Sequence, residues 1–271
     1  MTVRLLPGVA ATAVLEELDR LINGAADARA SDQRDQYAKY VRWATNAARS
    51  LGASLSHEDV NRLVLTQRHW VIQGLVQGEL SALLAVQLEL DQAVAALSAA
   101  QDVLREQMSM WPKQDELGRI IVPDTNIFLQ HTDEFPDIDW AEAVKARGLE
   151  SLHIVIPLVV IDELDRAKRN HTTKPRARQT LKLLNKMALH PGRPVSLRES
   201  SQHGTVDVRV LPEEVDHVRL ADGDMEIVDV ASALKDLTGL EVVLFTFDTG
   251  MVVRARSRGT GVTVRQLTQD P

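Results

Sequence analysis

From Leu117 onward the chain alternates short β-rich runs with helical stretches, a pattern that few folds can accommodate. The runs lie at Ile120–Val122, Leu152–Ile156, Val206–Val210, Glu241–Phe247 and Val262–Arg265. Helix candidates between and after them lie at Trp140–Arg147, Leu158–Lys168, Arg176–Leu189, Asp224–Leu237 and Met251–Arg256. Strand, helix, strand, helix predicts a parallel sheet covered by helices on both faces. The stretch from His190 to Thr205, rich in Pro, Gly and Ser, reads as a loop.

The preceding residues have a different texture. Up to about Met110 there is one proline, Pro7, no strand run, and abundant Ala, Leu, Gln and Glu, which favour helix. One helix is expected from about Val9 to Ile22, stopping near Asn23-Gly24. A second is expected from a Ser31 cap to Gly52, and a third behind Ser56, where Asp59 completes the form of a capping box. The last is expected to run from about Trp70 to Met110. In it Leu83, Leu90, Leu97 and Leu104 recur every seven residues, beside a seam of Leu80, Val94 and Met108. Flanking residues such as Leu84, Val86, Ala93 and Ala100 are not the paired charges of a zipper. The wide apolar stripe favours an intramolecular bundle, with self-association the other outcome. Trp111-Pro112-Lys113 marks the joint, since proline ends a helix. The expected architecture is α/β: an all-α helical unit over residues 1–114, then a parallel-sheet unit over 115–271.

In an open parallel sheet, functional groups collect at the carboxyl ends of strands. Asp124 follows Ile120-Ile121-Val122-Pro123 directly, and Asp248 follows Val242–Phe247 directly. Glu163 lies in the first turns of the helix after Leu152–Pro157. Asp224 opens a helix whose apolar face is Ile227, Val230, Ala231 and Leu234, with Asp222 just before it. Singly, each acid also has the form of a cap or a solvated turn. Together, carboxylates converging on one edge repel one another unless some are protonated or a cation sits among them. Oxygen-only ligands favour Mg²⁺ or Mn²⁺, and such ions serve phosphodiester hydrolysis.

On these residues the second half resembles a PIN domain, a nuclease fold, over about Gly118 to Leu267. The motifs are Ile121-Val122-Pro123-Asp124-Thr125-Asn126-Ile127-Phe128; Ile156-Pro157 followed by Asp162-Glu163-Leu164-Asp165; Asp224 with Ile227 and Ala231; and Thr246-Phe247-Asp248. The resemblance implies a PIN-like parallel sheet in which Asp124, Glu163, Asp224 and Asp248 hold Mg²⁺ or Mn²⁺. Asp222-Gly223-Asp224 offers two candidates for the third acid, of which Asp224 is preferred for its register with Ile227, with Asp222 as a supporting ligand. The resemblance further implies Thr125 or Asn126, and Thr246, shaping the site by hydrogen bonds. Its implied activity is ribonuclease, and the preference for RNA rests on the resemblance alone. Other carboxylate enzymes fit less well. Asn126 stands where a haloacid-dehalogenase-like phosphatase needs a second Asp, and no Gly-x-x-x-x-Gly-Lys-[Ser/Thr] loop is present.

Charge is segregated beside this acid set. Arg166, Lys168, Arg169, Lys174, Arg176, Arg178, Lys182, Lys186 and Arg193 fall in 28 residues with no acid, in a chain of net charge −7. Such a stripe binds phosphate backbones, and Arg254, Arg256 and Arg258 extend it. No aromatic residue lies between Trp140 and Phe245, so base stacking has little support there. The expected partner is nucleic acid, RNA by the resemblance. The N-terminal helices are expected to serve self-association or a protein partner. The rival reading is a non-catalytic nucleic-acid or protein-binding module on the same fold, with the helical unit as an oligomerisation scaffold. The absence of cysteine fits a reducing cytoplasm. No signal peptide is expected, and apolar stretches interrupted by charge or proline speak against a membrane span.

Overall fold

The computed structural model describes residues 3–29, 33–75, 80–113, 117–146, 148, 150–187, 193–198, 204–213 and 217–268. The chain divides into two compact units, Met1–Trp111 and Pro112–Pro271.

The first unit is built of helices α1 (Ala11–Asp27), α2 (Gln33–Gly52), α3 (His57–Leu63), α4 (Gln67–Gln73) and α5 (Leu80–Ser109). The Ser56 cap of α3 forms as its sequence implies. Its Oγ accepts from the Asp59 backbone N–H at 3.1 Å and donates to Asp59 Oδ2 at 2.8 Å. The Ser31 cap proposed for α2 lies outside the described residues.

Two expectations are corrected. First, α1 does not stop at Asn23-Gly24 but continues to Asp27. Gly24 lies inside the helix beside Trp43, where a Cβ would meet the ring at an ordinary contact distance of 3.7 Å, and Trp43 Nε1 donates to the Leu21 carbonyl at 3.0 Å. Second, the helix expected from Trp70 to Met110 is two helices. The backbone N–H of Gly74 turns back onto the Val71 and Ile72 carbonyls and closes α4.

The leucine heptad of α5 is used inside the unit. Leu90, Leu97 and Leu104 are fully buried with Val86, Ala93 and Ala100, and α5 packs against α1, α2, α3 and α4. Contrary to the interruptions noted in the sequence, α5 contains an 18-residue window of mean hydropathy 1.4, long and apolar enough by length and composition to cross a membrane. In this structure it carries the buried Glu89, which accepts from Thr66 Oγ1 at 2.5 Å and pairs with Arg68 at 3.2 Å.

The second unit is a six-stranded sheet in the order β3-β4-β2-β1-β5-β6. Its strands are β1 (Gly118–Pro123), β2 (Ser151–Pro157), β3 (Val195–Arg198), β4 (Val206–Leu211), β5 (Glu241–Thr246) and β6 (Thr263–Gln266). Its helices are α6 (Thr125–Gln130), α7 (Trp140–Ala143), α8 (Leu158–Ala167), α9 (Lys174–Met187), α10 (Gly223–Thr238) and α11 (Thr249–Ser257). All pairings are parallel except β3 with β4.

The strand β3 corrects the loop expected over His190–Thr205, much of which lies outside the described residues. Val195–Arg198 is too short and too polar to read as a strand by itself, and its pairing with β4 makes it one. The helix expected at Trp140–Arg147 is shorter, because Lys145 takes a positive φ of 53° that no helix continues through. Arg147 itself lies outside the described residues, as do residues 188–189 of the helix expected to end at Leu189.

Ile120 to Val122, Ile154 to Ile156 and Val242 to Phe245 are buried throughout, as in a sheet covered on both faces. A chain of rings, Phe128–Phe135–Trp140–Phe245, with centroids 5.1, 5.9 and 5.7 Å apart, packs where β1 and β5 end. Gly239, at φ 68°, closes α10 in the left-handed conformation and leads straight into β5.

Because Leu97 is fully buried while Leu84 is 55% exposed, Leu97→Ala is expected to lower the stability of the first unit by about 2–5 kcal/mol. Leu84→Ala should change it by less than about 0.5 kcal/mol. Urea unfolding of the full chain, followed by far-ultraviolet circular dichroism, checks the contrast.

Candidate active site

The chain leaves β1 toward β2 and leaves β5 toward β6, on the opposite side of β1. The carboxyl ends of β1 and β5 therefore flank the switch point of the sheet, where helices diverge and a crevice opens. Pro123 is in register with Phe245, and the Asp124 N–H donates to the Phe245 carbonyl at 2.9 Å. This pairing places Asp124 beside Thr246 and Asp248.

Asp124 is 2% exposed. Its Oδ1 accepts from the Asn126 backbone N–H and so caps α6; its Oδ2 accepts from the hydroxyl of Thr246. Thr246 Oγ1 in turn accepts from the Asp248 N–H at 2.9 Å. One fully buried hydroxyl thus ties together the two acids that follow β1 and β5. Asp248 caps α11, its Oδ1 accepting from the Gly250 N–H at 2.5 Å. Gln266 of β6 donates to Thr249 Oγ1 at 2.8 Å and braces the same turn.

The other two acids arrive from helices that begin at this edge. Glu163, in the second turn of α8, accepts from Thr125 Oγ1. Gly223, at the start of α10, lies directly against the Glu163 carboxylate: a Cβ there would collide with Oε1. This close approach puts Glu163 next to both Asp222 and Asp224. Asp222 is exposed and caps α10, its Oδ1 accepting from the N–H groups of Asp224 at 3.0 Å and Met225 at 3.4 Å. Asp224, in the first turn of α10, accepts from Arg254 Nη2, and the same guanidinium stands 3.7 Å from Asp248 Oδ2.

Electrostatics records the convergence. Burial pushes the Asp124 carboxyl up to about 6; the Thr246 and Asn126 hydrogen bonds oppose this, and the Asp224 charge adds to it. Asp224 is also raised, chiefly by burial, with Arg254 pulling it down and Asp248, Asp222 and Glu163 pushing it up. Asp224 is therefore within electrostatic reach of Asp124, Asp248, Asp222 and Glu163. The donor set consists of carboxylate and hydroxyl oxygens, which suits a hard divalent ion. Among the described residues, however, no three acids or histidines stand close enough to hold an ion as they are. Each is drawn to its own partner: Asp124 to Thr246, Glu163 to Thr125, and Asp224 to Arg254.

The supporting residues act in different ways. Thr125 and Thr246 donate hydroxyls to the acids. Asn126 contributes its backbone N–H, while its side chain accepts from Gln130 at 3.0 Å and turns away.

Sequence reasoning missed a clamp on the segment leading into α10. Arg219 joins Asp162 of α8 to Glu213. The buried Glu226 meets His217 Nε2 at 2.5 Å and accepts from the Leu220 N–H at 2.7 Å. The acid pair Asp162-Glu163 carried that signal, since one carboxylate serves the clamp and the other the site.

The basic stripe lies on α8 and α9. Arg166, Arg169, Arg178, Lys182 and Lys186 are exposed, and Arg178, Lys182 and Lys186 recur every four residues along one face of α9. Lys168 pairs with Asp165, and Lys174 is half-buried. Arg176 donates to the Thr132 and Asp133 carbonyls at 2.7 and 2.8 Å, holding the segment after α6. A cavity of about 220 Å³ lies against this face, lined by Glu134, Arg176, Gln179, Lys182 and Lys186 among others.

A family model described as PIN domain matches residues 121–264, more than half of the chain. The chain belongs to the PIN domain family. Its second unit thus has a nuclease-type fold, in a family that commonly uses divalent metals and binds nucleic acid. A solved structure described as a domain of a functionally unknown protein from Methanocaldococcus jannaschii DSM 2661 is similar over 56% of this chain and 93% of its own length. The two are 18% identical, with a TM-score of 0.35. No curated protein matches the chain.

The raised Asp124 carboxyl sets a pH dependence. The folded protein keeps a proton on this group that the unfolded chain releases above 3.8. Its contribution to stability is complete below the unfolded value and is lost as pH rises through about 6. In chelator, we expect wild-type stability to fall on this account by on the order of 3 kcal/mol between about pH 4 and 7. Asp124→Asn, which does not titrate, should remove that part of the slope. Denaturant unfolding across this range measures it, and an unchanged slope in the variant would contradict the assignment.

Proposed function

We propose that this PIN domain protein is a divalent-ion-dependent endoribonuclease. The observation that carries the reading is the meeting of Asp124, Glu163, Asp224 and Asp248, from four separate elements, at the switch point of the sheet. These four would hold Mg²⁺ or Mn²⁺, with Asp222 in support through the oxygen its capping bonds leave over. When bound, the ion supplies an activated water and neutralises charge on the phosphodiester.

The residues supply position. Thr246 orients the Asp124 carboxylate toward the crevice and keeps Asp248 beside it. Thr125 holds the Glu163 carboxylate by its hydroxyl, and the Arg219 and Glu226 contacts hold the turn that delivers Asp224. The exposed Arg166, Arg169, Arg178, Lys182 and Lys186 would carry the RNA backbone by phosphate contacts, a mode of binding that reads no bases. RNA as the substrate, rather than DNA, follows the family resemblance. The cysteine-free composition suits a cytoplasmic setting. The helices of the first unit are assigned to self-association or to recruiting a protein partner.

Two outcomes test this reading. With Mg²⁺ or Mn²⁺, single-stranded or structured RNA should be cleaved, chelator should stop the cleavage, and Asp124→Asn should lower the rate at least about a hundredfold while RNA binding persists. Binding without cleavage of any RNA or DNA, unchanged in Asp124→Asn, would instead mark a binding module. Replacing Arg178, Lys182 and Lys186 together by Ala should weaken RNA binding in all sequences alike. The dependence of log affinity on log salt should also become shallower by up to about 2 for a single strand. Filter binding from low to moderate salt reads both effects.

A further inference from the structure

The acid cluster already holds a cation, and that cation belongs to the chain. Arg254 lies in the second turn of α11, and its guanidinium folds back across the first turn to reach Asp224 and Asp248. Gly250 makes this path available: a Cβ there would lie 3.3 Å from both Nη1 and Nη2, tighter than side chains ordinarily tolerate. Arg254 itself belongs to the last turn of α11, where the helix dipole favours a positive charge at the carboxyl end, yet its guanidinium lies back against Gly250 of the first turn. Arg254 Nε is moreover a buried atom with no hydrogen-bond partner among the described residues. A guanidinium with one donor unsatisfied, placed against a helix N-terminus, is held there by the carboxylates it neutralises.

We propose that Arg254 is a displaceable internal counter-cation. It occupies Asp224 and Asp248 in the ion-free protein and is released when a divalent ion takes those carboxylates, so that ion entry and Arg254 release are a single exchange. The inference rests on the metal-site reading above. The exchange follows from charge. A divalent ion drawn to Asp224 and Asp248 would stand close to the guanidinium that now neutralises them; its double charge interacts more strongly with the acids and repels the single one. The released side chain stays tethered to α11 at the crevice, with five N–H donors in a fork that matches a phosphate. Arg254 would therefore serve in turn as counter-ion to the empty site and as phosphate ligand in the loaded one. This accounts for a basic residue of the nucleic-acid track being found among acids. It also explains why the acids do not close on a common point while Arg254 is in place.

The test uses the full chain, stripped with chelator, and reads binding and structure without catalysis. Mn²⁺ is titrated by isothermal calorimetry into wild type, Arg254→Met and Arg254→Lys, each checked for folding by circular dichroism. Arg254→Met should bind Mn²⁺ roughly tenfold more tightly than wild type, and its ion-free melting temperature should be lower. Arg254→Lys should fall between the two. In the wild type itself, the Arg254 Nε–Hε resonance, assigned by its loss in Arg254→Lys, should move on addition of Mg²⁺ as the side chain leaves the acids. Equal or weaker Mn²⁺ binding by Arg254→Met, or an Nε–Hε resonance that Mg²⁺ leaves unmoved while Mn²⁺ still binds, would overturn the exchange and leave the metal site standing. No binding by any of the three proteins would remove the metal-site reading, and the exchange with it.

Discussion

The site depends on the parallel register of β1 with β5. Pro123 opposite Phe245 sets the Asp124 amide on the Phe245 carbonyl and its carboxylate on the Thr246 hydroxyl. A slip of one residue would turn Asp124 to the other face of the sheet. The register is held by strands buried on both faces and by the ring chain from Phe128 to Phe245. The site therefore draws its precision from the rigid centre of the sheet, while the groups that would meet a long anionic ligand lie on exposed helices.

Asp124, Asp222 and Asp248 are all helix caps, and capping does not compete with membership of the cluster. A carboxylate has two oxygens. In Asp124 and Asp248 one takes the N–H groups at the start of a helix, and the other is left for Thr246 or Arg254. Capping helps here, because N–H donors partly offset the negative charge that burial and neighbouring acids make costly. The raised carboxyls of Asp124 and Asp224 show that the offset is incomplete. What is left over is the electrostatic strain that Arg254 relieves.

The elements of the second unit were largely legible in the residue pattern, since fully buried parallel strands are short, apolar and bounded by turns. The misses share a cause. Val195–Arg198 has too few apolar residues to announce itself, and partnership with β4 makes it a strand. Gly24 looked like a helix stop, yet α1 runs through it to Asp27, packed beside Trp43, whose Nε1 donates to the Leu21 carbonyl. In each case a contact with a residue distant in the chain overrode local preference. The leucine heptad of α5 was ambiguous for the same reason, because the spacing is the same whether the stripe meets another copy or, as here, α1 and α2.

By itself the sequence determined which residues carry charge to the sheet edge. Apolar runs ending in Asp124 and Asp248, a glycine between Asp222 and Asp224, and a run of basic residues without acids are properties of neighbouring positions along the chain. Only the tertiary structure decided what those charges do to one another. It made Asp222 a cap and Asp224 a member of the cluster, gave Asn126 a role through its backbone, and drew Arg254 in among the acids. Electrostatic energies depend on separation in space and on burial, and both arise when β1, α8, α10 and β5 meet at one crevice.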